Sequence, residues 1–159
     1  MKYWLMKSEP DVFGSEQLQA MPKKISAWDG VRNYQARNMM RDEMKKGDQV
    51  FLYHSSCAEP GIVGIMQVVK EAYPDHTALD PEAKYFDPKS DPDHPRWFMV
   101  DVQFKRQLQR TISLQELKQH ALQLGDFILL KKSNRLSIMS VTAAQWSYIL
   151  KLESDPTSR

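Results

Sequence analysis

The chain has 159 residues, of which 42% are hydrophobic and 26% charged, so it has enough apolar material for one hydrophobic core. The formal net charge of +2 excludes a protein that coats nucleic acid through bulk electrostatics. No apolar run approaches the roughly 18 residues of a membrane span, and the amino terminus lacks the apolar segment of a signal peptide. With a single cysteine, Cys57, and hence no internal disulfide, we expect a soluble intracellular protein.

The first half of the chain predicts three strands and two helices. Short apolar or alternating runs predict the strands, and apolar residues that recur every three to four positions predict the longer helix. Ser15 is a typical N-cap for the short helix, and Gly47 is typical of the end of the long one. In chain order the predicted elements are a strand over 2–7, a helix over 16–20, a helix from about 33 to 46, a strand over 48–54 and a strand over 62–69.

The second half begins with a long segment, 73–96, that has five prolines, six acidic residues and no periodicity. A loop of this length inside a compact domain is typically functional or disordered. The mixed order of strands and short helices favours an α+β small barrel over a doubly wound sheet. We expect one domain over 1–153 and a frayed tail over 154–159. The remaining predicted elements are a strand over 97–104, a helix over 114–122, strands over 127–131 and 136–141, and a helix over 143–152.

Nucleophilic catalysis and metal binding have little support in the sequence. His54, Ser55 and Cys57 are close together, but neighbours in an extended strand point to opposite faces. A structural zinc site needs four ligands, and His54 and Cys57 have no second pair. The scattered glycines form no phosphate-binding loop. We therefore expect no catalytic residue, no metal and no cofactor.

Two tryptophans and two arginines are candidates for contacts with a planar, charged ligand. Trp97 lies on the polar face of its predicted strand, and Trp28 precedes a turn that leads into the helix carrying Arg37 and Arg41. Stacking of a base on an aromatic ring contributes about 1–3 kcal/mol. Two plain alternatives stay open at this point: each tryptophan covers the core, and the arginines form a solvated face. Small polar residues that could contact a base edge lie near these positions: Ser8, Asn33, Ser55 and Ser137.

Four parts of the sequence together resemble the EVE domain family, within the PUA-like superfamily. The resemblance runs from Tyr3 to about Leu152, and its most specific part is the eleven-residue string WDGVRNYQARN over 28–38. The other parts are YWLMKSEP over 3–10, FLYHS over 51–55 with PGIVG over 60–64, and PRW over 95–97 with VDV over 100–102 and RLSI over 135–138.

This resemblance implies a PUA-like fold, that is, an α+β, small, largely antiparallel β-barrel with flanking helices. It also implies a nucleic-acid partner, DNA or RNA, and a pocket for one flipped, modified base. Trp28 and Trp97 would then be the stacking walls of that pocket. The other implied contacts with the base are Ser8, Asn33, Ser55 and Ser137 at its edge and His54 and Arg135 at the mouth, while Arg37 and Arg41 would hold phosphates.

The function expected from the sequence is therefore a non-catalytic, cytoplasmic reader of nucleic acid, nuclear or nucleoid-associated if the cell is eukaryotic or the target is DNA. One alternative is a small enzyme acting on a nucleoside, with His54 paired to Cys57 or to an acid of segment 87–93. Another is a protein-interaction module built on the proline-rich loop and the methionine face of the long helix. Sequence leaves open the choice between DNA and RNA, the modification and the oligomeric state.

Overall fold

Six β-strands form one sheet in the computed structural model, which describes residues 1–131 and 136–154. The strand order is β2-β5-β4-β3-β1-β6. The strands are β1 (Tyr3–Ser8), β2 (Ile25–Ala27), β3 (Gln49–His54), β4 (Gly61–Pro74), β5 (Phe98–Ser113) and β6 (Ile138–Val141). The helices are α1 (Pro10–Phe13), α2 (Ser15–Ala20), α3 (Tyr34–Asn38), α4 (Leu114–Gln119), α5 (Ala121–Leu124) and α6 (Ala143–Glu153).

The sheet is largely antiparallel, as expected, with one parallel pair, β1 and β3. A parallel pair needs a long crossover, which α1, α2 and α3 supply. The expected barrel is not observed. The outermost strands are β2 and β6, of three and four residues, and within the described residues they do not pair with each other. The fold is therefore α+β with an open sheet.

Both faces of the sheet are covered by apolar side chains from helices. On β1, Trp4 and Met6 join the layer that includes residues of α2 and α3, whereas Leu5 joins the layer that includes residues of α4, α5 and α6. This alternation follows from the two-residue period of a strand.

The sequence pattern misses the true length of β5, which continues to Ser113 rather than ending near Phe104. The residues after Phe104 are mainly polar and show no apolar alternation, but they pair with β4 as far as its first residue, Gly61. Pairing with a neighbour therefore makes this segment a strand where its own composition does not.

The predicted helices are interrupted. The helix expected over 33–46 is α3 followed by a π-helix, Met39–Glu43, in which the Met44 N–H donates to the Met39 carbonyl at 2.9 Å. The helix expected over 114–122 divides into α4 and α5 at His120. The strand expected over 127–131 is wrong, because the chain forms a 3₁₀ turn there, Ile128–Leu130. A short apolar run does not distinguish a strand from a helical turn.

The proline-rich segment between β4 and β5 is ordered by its own acidic residues. Asp80, Asp87 and Asp91 each accept a hydrogen bond from the backbone N–H two residues later, at 2.9 to 3.0 Å. Aspartates commonly form turns in this way. Most of the acidic side chains in this segment therefore build the loop. Among the described residues, no helix has the length and hydropathy needed to cross a membrane.

Candidate nucleic-acid interface

Four of the predicted site residues meet where β1 and β3 end and β6 begins; we call Ser8, His54, Ser55 and Ser137 the strand-end cluster. Ser8 lies opposite His54 in the parallel pair, and the Ser55 N–H donates to the Ser8 carbonyl at 2.9 Å. The Lys7 N–H donates to the Ser137 carbonyl at 2.8 Å. Parallel strands end at the same edge of a sheet, so residues nearly fifty positions apart are brought together here.

The Ser8 hydroxyl distinguishes this cluster. Its oxygen is buried, and it has no hydrogen-bond partner within the described part of the chain. A buried polar atom without a partner costs roughly 1–3 kcal/mol, and native proteins contain few of them. Ser8 is therefore the position in the cluster best suited to a hydrogen bond from a ligand.

His54 is held in its neutral form by its surroundings. Its Nε2 accepts a hydrogen bond from the Ser15 backbone N–H at 3.1 Å, which only an unprotonated nitrogen can do. Burial lowers the pKa of the ring below its usual 6.5. His54 thus connects the strand-end cluster to α2 and acts as a neutral polar group near pH 7.

Trp28 lies inside the protein. Its ring is 8% exposed and packs edge-on against Phe13, with 6.4 Å between ring centroids. The reason is local: its backbone N–H donates to the Val100 carbonyl, which continues the pairing of β2 with β5 and directs the ring into the core. Phe13 and Ser15 are two residues apart, so one short segment contacts both Trp28 and the strand-end cluster.

Trp97 is also buried, at 6% exposure, and lies in a different cluster. Its ring stacks on Tyr34 with 4.9 Å between centroids and 24° between planes, and its Nε1–H donates to Asp87 Oδ2 at 2.7 Å. We call this pair the Trp97–Tyr34 stack. In the described residues Trp28 and Trp97 do not contact each other's rings, because Trp28 faces Phe13 and Trp97 faces α3. They therefore do not form two open walls in this structure.

The loop from Trp28 to Asn33 is anchored by Asp75. Asp75 Oδ2 accepts hydrogen bonds from the Gly30 N–H at 2.8 Å and from Arg32 Nη1 at 3.0 Å. Burial raises the pKa of Asp75, but the hydrogen bonds from Thr77, Gly30 and Arg32 outweigh it and leave the pKa below its usual value. The ionised carboxylate holds this loop in place.

Asn33 and the two arginines predicted to contact the ligand already have partners. Asn33 is the N-cap of α3, and its Oδ1 accepts a hydrogen bond from the Ala36 N–H at 3.0 Å. Arg37 Nη1 donates to the Arg96 carbonyl at 2.9 Å, and exposed Arg41 forms an ion pair with Asp42 at 2.8 Å. Arg135 lies outside the described residues.

The profile of the EVE domain matches residues 2–152, nearly the whole chain. This chain belongs to the EVE domain family. The resemblance seen in the sequence motifs is thereby confirmed.

Named relatives of this EVE domain agree with that assignment. Thymocyte nuclear protein 1 of zebrafish (Danio rerio) is 49% identical, over 96% of this chain and 72% of its own. The crystal structure of human THYN1 in complex with DNA containing 5-methylcytosine has a TM-score of 0.93 and 45% identity, and covers 98% of this chain and 99% of its own. The crystal structure of a Pseudomonas putida protein has a TM-score of 0.90 and 49% identity, and the match covers 95% of this chain and 99% of that protein's chain.

Residues that hold the candidate site of this EVE domain in place were not predicted from the sequence. Tyr34, Asp75 and Asp87 position the aromatic stack and its loop, and Ser15 contacts His54. A signal for Asp75 existed in Asp75-His76-Thr77, since an aspartate two residues before a threonine is typical of a turn. Tyr34 lies inside the family motif, but its stacking on Trp97 and its exposure are visible only in the structure.

Two clefts, of about 410 and 420 Å³, lie away from the predicted residues. The first lies at the opposite ends of β1 and β3, next to Lys2 and Asp48, and the second lies beside α4, next to Glu116. Among the described residues, no group of three or more histidine, cysteine, aspartate or glutamate side chains could hold a metal ion. The methionine face suggested for a protein partner is largely in the core, with Met40 and Met44 buried.

Proposed function

We propose that this EVE domain is a non-catalytic reader that binds DNA and accepts one flipped, modified base at the strand-end cluster. One observation carries the proposal: human THYN1, whose fold matches this chain with a TM-score of 0.93, forms a complex with DNA containing 5-methylcytosine. The two chains correspond over nearly their full lengths, so the shared fold includes the region proposed to bind.

The strand-end cluster has suitable chemistry for the polar edge of a base. The Ser8 hydroxyl can donate and accept, and it has no partner among the described residues. Ser55 Oγ lies 3.4 Å from the Ser8 carbonyl, a long contact that a ligand could replace at small cost. Extruding a base from its stack costs a few kcal/mol, which several such hydrogen bonds would offset.

The aromatic part of the proposal requires movement at Trp28. Phe13 packs on the edge of Trp28, so a base can stack on that ring only if α1 shifts. α1 is a suitable element to shift, because it has four residues and none of them is fully buried. Trp97 contributes through Tyr34, which covers it. Arg37 and Arg41 would contact phosphates, and the exposed pair of Arg41 with Asp42 opens at little cost.

The relatives also bear on where the protein acts. The vertebrate relatives are named as nuclear proteins, and the human one binds DNA. The cytoplasmic location expected from the sequence has no support among them. We therefore infer that this domain acts where DNA is.

Binding to short oligonucleotides tests the proposal. Fluorescence anisotropy should compare single- and double-stranded DNA and RNA carrying one cytosine, 5-methylcytosine, 5-hydroxymethylcytosine or N6-methyladenine. We expect tighter binding to a modified DNA than to its unmodified counterpart, by severalfold, since a buried methyl contributes about 0.8 kcal/mol. Equal affinity for all the oligonucleotides would overturn the reader function, and a change in oligonucleotide mass after incubation would indicate an enzyme.

A matched pair of serine substitutions locates the site. Ser8→Ala should weaken binding about five- to tenfold, because it removes one hydrogen bond to the base. Ser147→Ala is the control, since Ser147 is exposed on α6, on the other face of the sheet from α3. If both variants bind like the unmodified protein, the strand-end cluster is not the site.

A further inference from the structure

Tyr34 is unusually exposed for a ring that takes part in an aromatic stack. It is 52% exposed, while Trp97 beneath it is 6% exposed. One face of Tyr34 lies on Trp97, with 4.9 Å between centroids. Since the ring has only two faces and half of the residue is exposed, the outer face is the accessible one.

Arg37 lies beside this stack and does not cover the outer face. Its Cζ is 4.8 Å from the Tyr34 centroid and 6.0 Å from the Trp97 centroid. A guanidinium on the outer face of Tyr34 would be far more distant from Trp97 than from Tyr34. The similar distances therefore place Arg37 at the side of both rings. Hydrogen bonds from Nε to Asn38 and from Nη1 to the Arg96 carbonyl hold it there.

A second exposed tyrosine, Tyr85 of the proline-rich segment, packs against the loop that leads to Tyr34. Tyr85 is 42% exposed, and its ring lies so close to Gly30 that a Cβ at that position would be 2.6 Å from it. Lys84 lies over the Tyr85 ring at 5.3 Å. Two exposed aromatic rings from different segments, Tyr34 and Tyr85, thus lie along the loop from Trp28 to Tyr34, and each is next to a cation. Aromatic rings alternating with cations are typical of surfaces that bind single-stranded nucleic acid.

We propose that the outer face of Tyr34 is a stacking platform for an unmodified base next to the base being read, with Arg37 beside that base's phosphate. The inference rests on the proposed function and adds a second subsite to it. Stacking on a flat ring does not depend on which base is present. Tyr34 therefore contributes to affinity for any sequence and leaves the preference for a modified base unchanged.

Two variants separate stacking from packing. Tyr34→Leu keeps an apolar side chain over Trp97 but removes the flat ring, and Tyr34→Phe keeps the ring and removes only the hydroxyl. Each variant should be compared with the unmodified protein by anisotropy after thermal unfolding shows that it is folded. Each oligonucleotide carries one 5-methylcytosine or one cytosine. The nucleotide on its 5′ side or on its 3′ side either keeps its base or is an abasic site.

We expect Tyr34→Leu to bind intact oligonucleotides at least about fivefold more weakly, with cytosine and 5-methylcytosine affected equally, and Tyr34→Phe to bind normally. With the abasic neighbour on the stacked side, the difference between Tyr34→Leu and the unmodified protein should disappear. Normal binding by Tyr34→Leu would overturn the platform, and so would tighter binding, which would mean that Tyr34 blocks the site.

The same data distinguish failure of the platform from failure of the reader. A normal preference for 5-methylcytosine with no effect of Tyr34→Leu overturns the platform alone. Loss of the preference with a clear abasic effect overturns the modified-base reader and supports stacking. No binding to any oligonucleotide would overturn both.

Discussion

The two ends of the parallel pair β1 and β3 differ in how their polar groups are satisfied. At the amino ends, the buried Asp48 accepts hydrogen bonds from the Lys2 N–H, Trp4 Nε1 and the Lys45 N–H, each at 3.0 Å. At the carboxyl ends, the buried Ser8 hydroxyl has no partner within the described residues. One pair of strands therefore has a fully bonded carboxylate at one end and a buried hydroxyl with unused hydrogen-bonding capacity at the other.

The largest expected effect is at the amino ends. Asp48→Asn should lower the free energy of unfolding by roughly 2–4 kcal/mol, because an amide replaces one acceptor oxygen by a donor that faces donors. Urea denaturation measures this, with the exposed Asp126→Asn as the control. DNA affinity of the folded variant should be unchanged. A destabilisation no larger than that of the control would show that the Asp48 network contributes little.

Gly30→Ala should produce the next largest effect, about 1–3 kcal/mol of destabilisation and a weaker affinity for DNA. Gly30 has a φ of +77°, and an added Cβ would clash with Tyr85 at 2.6 Å. Gly47→Ala is a matched control at the amino ends of the strands, since its φ is +99° but nothing lies within 4 Å. If the two variants lose equal stability and affinity, the Tyr85 contact does not matter.

For Ser8→Ala we expect the affinity for DNA to fall without any loss of stability. Removing a buried hydroxyl that has no partner among the residues the structure describes should leave the free energy of unfolding unchanged or raise it by up to about 1 kcal/mol, while DNA binding weakens. Thermal and urea unfolding of the variant are the measurements. A clear loss of stability would mean that the hydroxyl has a structural role.

The smallest effect is a pH dependence confined to the carboxyl ends. Burial lowers the pKa of His54 in the folded state below 6.5, so the unfolded state binds its proton first as the pH falls. The contribution of His54 to stability is therefore fully present above the unfolded-state pKa of about 6.5. It is lost as the pH falls from there through the lower pKa of the folded state. His54→Gln should flatten the loss of stability measured between about pH 7 and pH 5, whereas the exposed His94→Gln should not. Equal profiles would contradict this assignment.

The sequence predicted more of the fold than of the site. Apolar runs and alternation placed β1, β3 and β6 to within two residues and found β4, although they ended it at 69 rather than at Pro74, since both faces of the sheet need apolar side chains. It could not show that β5 continues through polar residues to Ser113, because that depends on pairing with β4. The π-helix after α3 and the division of α4 from α5 likewise depend on packing in the core.

Some features of the predicted site could be read from the sequence, and others depend on the tertiary structure. Ser8, His54, Ser55 and Ser137 lie together where β1 and β3 end and β6 begins, and their contact with a base stays a prediction. Trp28 and Trp97 were expected as facing walls, but the residues that cover them, Phe13 and Tyr34, come from other elements. A single sequence does not show which ring covers which.

By itself, the sequence determined the family, the α+β class and the residue types available for binding, because motifs and apolar periodicity are local properties of the chain. Only the tertiary structure decided that, within residues 1–131 and 136–154, the sheet stays open and the buried Ser8 hydroxyl has no partner, and that Tyr34 is the exposed ring of its stack. Each of these depends on groups that are distant in the sequence and meet only when β1, β3 and the loop anchored by Asp75 have assembled.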